Sequence, residues 1–243
     1  MSENAIEIKN LCVEYRPLKN ISIMKTFFHN EREKEEVFQA VKDVSFEVKK
    51  GEILGIVGKN GSGKSTMLRA IAGIFRPDRG SIDLKGNSIS LMSIGVGFNT
   101  EMTGRKNIIL SGMLLGFSEN EMLEKMDNVI KFAEIGEFID KPVKTYSSGM
   151  YSKLAFAITA NLETDIILVD EVLSVGDERF KKKSLSKMKE LITDKHRTVI
   201  IVSHDLGVLQ ELCSRVLWIH DGRIEKLGQT EETINAYRTY MNV

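Results

Sequence analysis

Ile53-Leu-Gly-Ile-Val57 followed by Gly58-Lys59-Asn60-Gly61-Ser62-Gly63-Lys64-Ser65 is the stretch that decides how this chain folds. Residues 53–57 are a short apolar run of the length and β-branched content expected of a buried strand. The eight residues after it fit G-x-x-x-x-G-K-[ST] in full, in the order strand, loop, helix that gives this pattern its meaning. Glycines allow the backbone to wrap closely and aim its N–H groups at phosphate oxygens, and the positive end of the next helix dipole adds to that field. Lys64 is expected to reach the β- and γ-phosphates of a bound nucleotide, Ser65 to ligate Mg²⁺, and Thr66 to bond the α-phosphate. A plain glycine-rich turn is the competing reading, and it has no need of the Lys-Ser pair.

Working outward, Ile166-Ile-Leu-Val169 reads as a second buried strand, and it ends in Asp170-Glu171. Asp170 suits the carboxylate that phosphate-loop enzymes hold on the Mg²⁺ side, with Ser65 as the other metal-side residue. Glu171, one step further on, is the candidate general base that polarises an attacking water. A third strand, Val199–Val202, runs through Ser203 into His204. A strand-end histidine standing alone is more often structural. In this company His204 becomes a candidate sensor of the γ-phosphate, so the catalytic candidates are Lys64, Glu171 and His204.

The rest of the chain is consistent with one α/β unit of 243 residues. Short β-branched runs alternate with helix-period segments, and no internal repeat or low-complexity tract is present. From about residue 103 to 161 helical patterns follow one another with no strand, which reads as an inserted helical subdomain. Within it Ser118 and Glu121 form a capping box, with Met122, Met126, Val129 and Ala133 on one face. Val216–Ile219 and Arg223–Lys226 read as a hairpin turned by Asp221-Gly222, and Glu231–Met241 as a last helix. Residues 16–38 are an odd insert. Ile21, Met24, Phe27 and Phe28 gather on one helical side before a charged run, giving either a surface helix or a docking element for a membrane-embedded partner.

Lys plus Arg equals Asp plus Glu at 34 each, so no global positive field gathers nucleic acid, and no nucleic-acid partner is expected. Cys12 and Cys213 are far apart without metal-ligand spacing and read as small core hydrophobes. His29, His196 and His220 read as surface or packing residues. No run approaches the ~20 apolar residues that span a bilayer, so the chain is expected in the cytosol unless a partner holds it elsewhere.

Tyr146-Ser147-Ser148-Gly149-Met150, about twenty residues before the acidic strand, resembles the signature sequence of ABC-transporter ATPase subunits. The phosphate loop, Asp170-Glu171, Ser174-Val-Gly-Asp177 and His204 stand in that family's order, so the resemblance covers nearly the whole chain. It implies a P-loop NTPase (RecA-like) α/β core with an antiparallel β subdomain and an inserted α-helical subdomain. The ligand it implies is ATP, with Mg²⁺. It further implies a head-to-tail homodimer in which Ser147 and Gly149 of one subunit close over ATP on the loop of the other. Asp177 would then lie at the dimer seam. Tyr15 stands where the family commonly places an aromatic that stacks on adenine; a packed strand tyrosine is the alternative.

Within the family, the Tyr146–Tyr151 signature variant running into Lys153–Ala157, the Ser174–Asp177 seam and Gly95–Asn99 with Thr103-Gly104 resemble exporters of lipid-linked polysaccharide: teichoic acid, O-antigen or capsule. That branch implies two copies of an integral membrane permease as partners, a lipid-linked polysaccharide as cargo, and a peripheral position on the cytoplasmic side of the cell membrane. The insert at 16–38 also looks like that group's. Two departures stand out. The metal-lining glutamine of most relatives falls near Ser93 or Ile94 and is missing here. Some O-antigen members continue into a carbohydrate-binding domain, whereas this sequence ends soon after the hairpin, which puts substrate choice in the permease. A soluble ABC ATPase acting on DNA or ribosomes and an importer ATPase for a small solute are the alternatives. The lack of a heptad run or second phosphate loop weighs against the first, and the missing glutamine against the second.

Overall fold

A computed structural model describes residues 3–16, 37–92, 97–170 and 176–242. Glu171, Ser174 and Val175, the loop from Ser93 to Val96, and the apolar positions Ile21, Met24, Phe27 and Phe28 lie outside the described residues.

Two sheets divide the strands. The first is antiparallel, in the order β2, β1, β4, built from β1 (Asn4–Tyr15), β2 (Phe38–Lys49) and β4 (Arg79–Asp83). The second has six strands in the order β5, β6, β7, β3, β8, β9. Its members are β3 (Ile53–Val57), β5 (Ile89–Met92), β6 (Ile166–Asp170), β7 (Thr198–Val202), β8 (Arg215–His220) and β9 (Arg223–Gln229). Neighbours from β5 to β8 are parallel, and β8 with β9 is the antiparallel hairpin. Asp221 at φ 45° and Gly222 at φ 77° make its turn, as the Asp-Gly pair predicts.

The parallel strands are buried on both faces, which is why they read as unbroken apolar runs rather than alternating ones. On one face Leu54, Ile56, Leu168, Ile200 and Val202 pack toward the antiparallel sheet and α1 (Lys64–Ile71). On the other, Val57, Val169 and Ile201 pack beneath α4 (Ser148–Ala160), α5 (Glu178–Thr193), α6 (Leu206–Leu212) and α7 (Thr230–Met241). A third core unites α2 (Gly104–Leu114) and α3 (Glu119–Ala133) with α4. Its α3 contribution is Met122, Met126, Val129 and Ala133, the face expected from helical spacing, and both halves of the Ser118/Glu121 box are formed. No strand lies among the described residues of 103–161. Cys12 and Cys213 are buried free thiols, and burial pushes the Cys213 thiol up to about 12.

Phe38 opens β2 instead of belonging to the insert expected at 16–38. The antiparallel β subdomain that the resemblance implies is present, but the sequence pattern does not place its long pair β1 and β2. Positive φ at Asn10 and Asp43, joined by an Asn10 Nδ2–Asp43 Oδ1 hydrogen bond of 2.9 Å, sits at the register shift between Ile8 and Leu11 and breaks the period-two pattern.

Candidate nucleotide site

Register brings the site together. Cα pairing aligns Ile56 with Val202 and Val202 with Asp170, so β3, β7 and β6 end at one level. The loop 58–63, His204 and Asp170 therefore emerge side by side at strand carboxyl ends, where open α/β sheets hold ligands.

Capping and first-turn charge together set α1 apart, since α7, the other described α-helix without a side-chain cap, carries Glu231 and Glu232 in its first turn. Thr103, Ser118, Ser147, Asp177 and Asp205 each give a side-chain oxygen to an N–H of the helix they precede. α1 instead begins on Gly63, with no side-chain cap and no acid in its first turn. Its orphan N–H groups and positive dipole end are left for an anion. Glycine is required at two loop positions by close approach. A Cβ at Gly63, which has φ 103°, would sit 2.2 Å from Ala40 O, and one at Gly58 would sit 2.3 Å from Ile219 O. Lys64 is 6% exposed, and its Nζ donates to Gly58 O at 2.7 Å and Lys59 O at 2.9 Å, folding the loop around its own ammonium.

Ser65 Oγ donates to Asp170 Oδ1 at 3.0 Å although the two are 105 residues apart. This pair suits magnesium. A hard cation that takes oxygen donors, keeps waters and shares substrate phosphates needs only one or two protein oxygens, and Ser65 and Asp170 supply them side by side. Among the described residues no cluster of three His, Cys, Asp or Glu groups offers an all-protein metal cage.

A cavity of about 370 Å³ is lined by Asn60, Gly61, Gly63, Lys64, Ser65, Thr66, Asp170 and His204, with Tyr15 and Phe38 at its aromatic side. Tyr15 Oη lies 3.1 Å from Thr66 Oγ1, and its ring meets Phe75 edge-on at 6.0 Å, so both predicted contact residues are engaged with each other. Phe38, 60% exposed, is the aromatic lining residue absent from the expected set, with Ala40 and Val202 as smaller ones. It faces the pocket because β2 pairs it with Tyr15, and that pairing was hidden in the sequence. Lys59 and Ser62 belong to the loop but face elsewhere: Lys59 is exposed, and Ser62 Oγ is buried without a hydrogen-bond partner.

Ser147, Gly149 and Asp177 do not line this cavity. Ser147 caps α4 by accepting from Met150 N at 3.2 Å, and it is exposed together with Ser148. A Cβ at Gly149 would meet nothing closer than Ser147 Oγ at 3.9 Å, so space is open above the helix start. Asp177 accepts from Phe180 N at 2.9 Å and pairs with Lys153 of α4. That ammonium holds its carboxyl below the usual carboxylate range. His196 is exposed and His220 packs against Tyr240 at 5.1 Å, as surface and packing roles predict.

The ABC transporter family profile matches residues 41–174, more than half of the chain. The O-antigen export system ATP-binding protein RfbB of Klebsiella pneumoniae is 39% identical over 245 residues, covering 98% of this chain and 99% of that protein. RfbB of Myxococcus xanthus is 42% identical over 82% of this chain, which spans 45% of that protein's length. The teichoic acids export ATP-binding protein TagH of Bacillus cereus is 43% identical over 83% of this chain, which spans 36% of TagH. Among solved structures, a dimeric ATP-binding cassette in a post-hydrolysis state with ADP and Pi superposes with a TM-score of 0.67 at 24% identity, covering 93% of this chain and 98% of that one. No helix among the described residues is long and apolar enough to cross a membrane. With an uncapped helix that opens on a buried lysine, a serine–aspartate pair beside it, a family profile over more than half of the chain and one relative matched along nearly its full length, the chain belongs to the ABC transporter family as an ATP-binding component.

Proposed function

We propose that this chain is the ATP-hydrolysing subunit of an exporter that moves lipid-linked polysaccharide of the O-antigen, capsule or teichoic acid type across the cytoplasmic membrane. One observation carries the ATPase part: Ser65 Oγ and Asp170 Oδ1, 3.0 Å apart, stand beside Lys64 at the uncapped start of α1. The triphosphate lies along the loop, its charge met by main-chain N–H groups, the α1 dipole and Lys64. Ser65 and Asp170 would hold Mg²⁺, which would supply Lewis-acid charge stabilisation to the phosphates. Glu171 takes the proton of the attacking water, and His204 hydrogen-bonds the γ-phosphate and registers its loss. Tyr15 and Phe38 border the adenine end.

The second half of the site comes from a partner copy. Ser147 and Gly149 at the exposed start of α4 offer a hydroxyl and a helix amino terminus to the γ-phosphate bound on the other subunit, and Asp177 lies at the seam. The exposed Ser147 and the open space above Gly149 support this reading. Two copies close on two ATP, act on two permease subunits at the cytoplasmic face of the membrane, and reopen after hydrolysis. The unit is a single ABC ATPase domain over 1–243, with 103–161 as its helical subdomain. The polysaccharide cargo is supported by the export roles in the names of RfbB and TagH.

Co-purification from membranes with its permease, followed by ATPase assays with lipid-linked glycans, tests the proposal. Stimulation by a lipid-linked polysaccharide and not by small solutes is expected. Stimulation by a small solute, or co-purification with ribosomes in place of a permease, would overturn the cargo assignment.

A further inference from the structure

The outer side of the phosphate loop, away from the cavity, rests on a C-terminal unit that none of the loop's sequence features require. Gly222 N, in the β8–β9 turn, donates to Ser62 O at 3.0 Å, and Ile219 O closes the space beside Gly58. The last turn of α7 then reaches Lys59. Its Nζ donates to Tyr240 Oη at 3.3 Å and lies 4.5 Å from the centre of the Tyr240 ring. Tyr240 Oη in turn lies 3.4 Å from His220 Nδ1, and His220 Nε2 lies 3.5 Å from Asp221 Oδ2. The directions are mutually consistent: the ammonium donates to the phenol, the phenol to Nδ1, and the Nε2 proton faces the carboxylate. Trp218, the sole tryptophan and 7% exposed, packs on the same ring at 5.1 Å and on Tyr237 at 5.6 Å.

We propose that Tyr240 is a positioning residue for the phosphate loop, acting through Lys59, and that Trp218 beside it reports nucleotide occupancy. The inference rests on the nucleotide-binding reading above and deepens it. Lys59 ties the two sides of the loop together: its side chain is held by α7 while its carbonyl accepts from Lys64 Nζ at 2.9 Å. Fixing that residue from outside restricts the loop before the ligand arrives, so less order is lost on binding. Reorganisation of the Lys64 bonds by a triphosphate is transmitted through Lys59 to the Tyr240–Trp218 stack.

Tyr240→Ala removes both ring and hydroxyl, and Tyr240→Phe keeps the ring alone. Calorimetry with Mg-ADP, steady-state ATPase kinetics and tryptophan emission are compared across wild type and both variants, with far-UV circular dichroism confirming that α7 is folded. A partly exposed cation–π contact of ~0.5–1 kcal/mol converts to about a two- to fivefold effect. Tyr240→Ala is therefore expected to weaken Mg-ADP binding and raise KM about two- to fivefold, with kcat little changed. Its nucleotide-induced change in emission should vanish, and Tyr240→Phe should fall between it and wild type. Unchanged affinity in Tyr240→Ala, or wild-type emission that ignores nucleotide while calorimetry records its uptake, would overturn the inference. Absence of any binding heat in wild type would instead remove the nucleotide reading itself. Should Tyr240→Ala lose its helix signal, Tyr240→Phe decides alone: wild-type KM and wild-type emission response together reject the role of the hydroxyl.

Discussion

α1 and α4 both begin beside a serine, yet their amino termini are finished in opposite ways. α1 starts on Gly63 without a side-chain cap, inside a cavity that also gathers Lys64, Ser65, Asp170 and His204. α4 starts on the capping Ser147, exposed, with open space over Gly149 and none of its residues lining that cavity. One terminus has its electrostatic company built in, and the start of the other lines no such cavity among the described residues. The contrast accords with the proposed division of the site between two copies, in which the first terminus would bind the triphosphate and the second would complete the arrangement from a partner.

The largest effects should come from breaking the first terminus. Lys64→Ala removes the buried ammonium and is expected to lower hydrolysis about 10²- to 10³-fold, measured by phosphate release, with loss of binding heat. Glu171→Gln should stop turnover while leaving binding intact, and an ATP-bound dimer should then appear in sedimentation; unchanged hydrolysis would take the general-base role from Glu171. Breaking the second terminus separates the two halves. Ser147→Arg should abolish hydrolysis by steric exclusion across the seam, yet leave Mg-ADP binding by the isolated chain near wild type. A smaller effect is expected on stability from Gly63→Ala, whose methyl would collide with Ala40 O at a positive φ. A loss of about 1–3 kcal/mol is expected, read as a lowered Tm that nucleotide restores poorly.

The smallest effect concerns a strut within the second half, the Lys153–Asp177 pair that ties α4 to the start of α5. Because Lys153 depresses the Asp177 carboxyl, its contribution is complete above the ordinary carboxylate value and is lost as pH falls through the depressed one. Lys153→Met should therefore flatten the acid limb of the stability profile slightly and leave neutral-pH nucleotide binding unchanged. A flattening on the alkaline limb would contradict the assignment.

How much of this was legible in sequence depends on how local each signal is. Loop residues 58–65 and the strand ending at Asp170 announce themselves because each motif is contiguous and its strand is wholly apolar. The Ser118 box and the α3 face were legible for the same reason. The antiparallel sheet was expected only through the family resemblance, and its strands could not be placed, since the Asn10–Asp43 bulge interrupts the alternation that would mark β1 and β2. Phe38 was hidden with it, because an aromatic gains its place at the pocket only from strand pairing. Lys59 and Tyr240 are 181 residues apart, and no local pattern links a loop lysine to a terminal-helix tyrosine.

The divided site is tested most directly by mixing two inactive chains, Lys64→Ala and Ser147→Arg. In a mixed dimer the intact loop of the second faces the intact signature of the first, which restores one of two sites. Random pairing of equal amounts predicts ATPase activity of about one quarter of wild type per chain. Activity no greater than the sum of the two chains assayed apart would contradict the account.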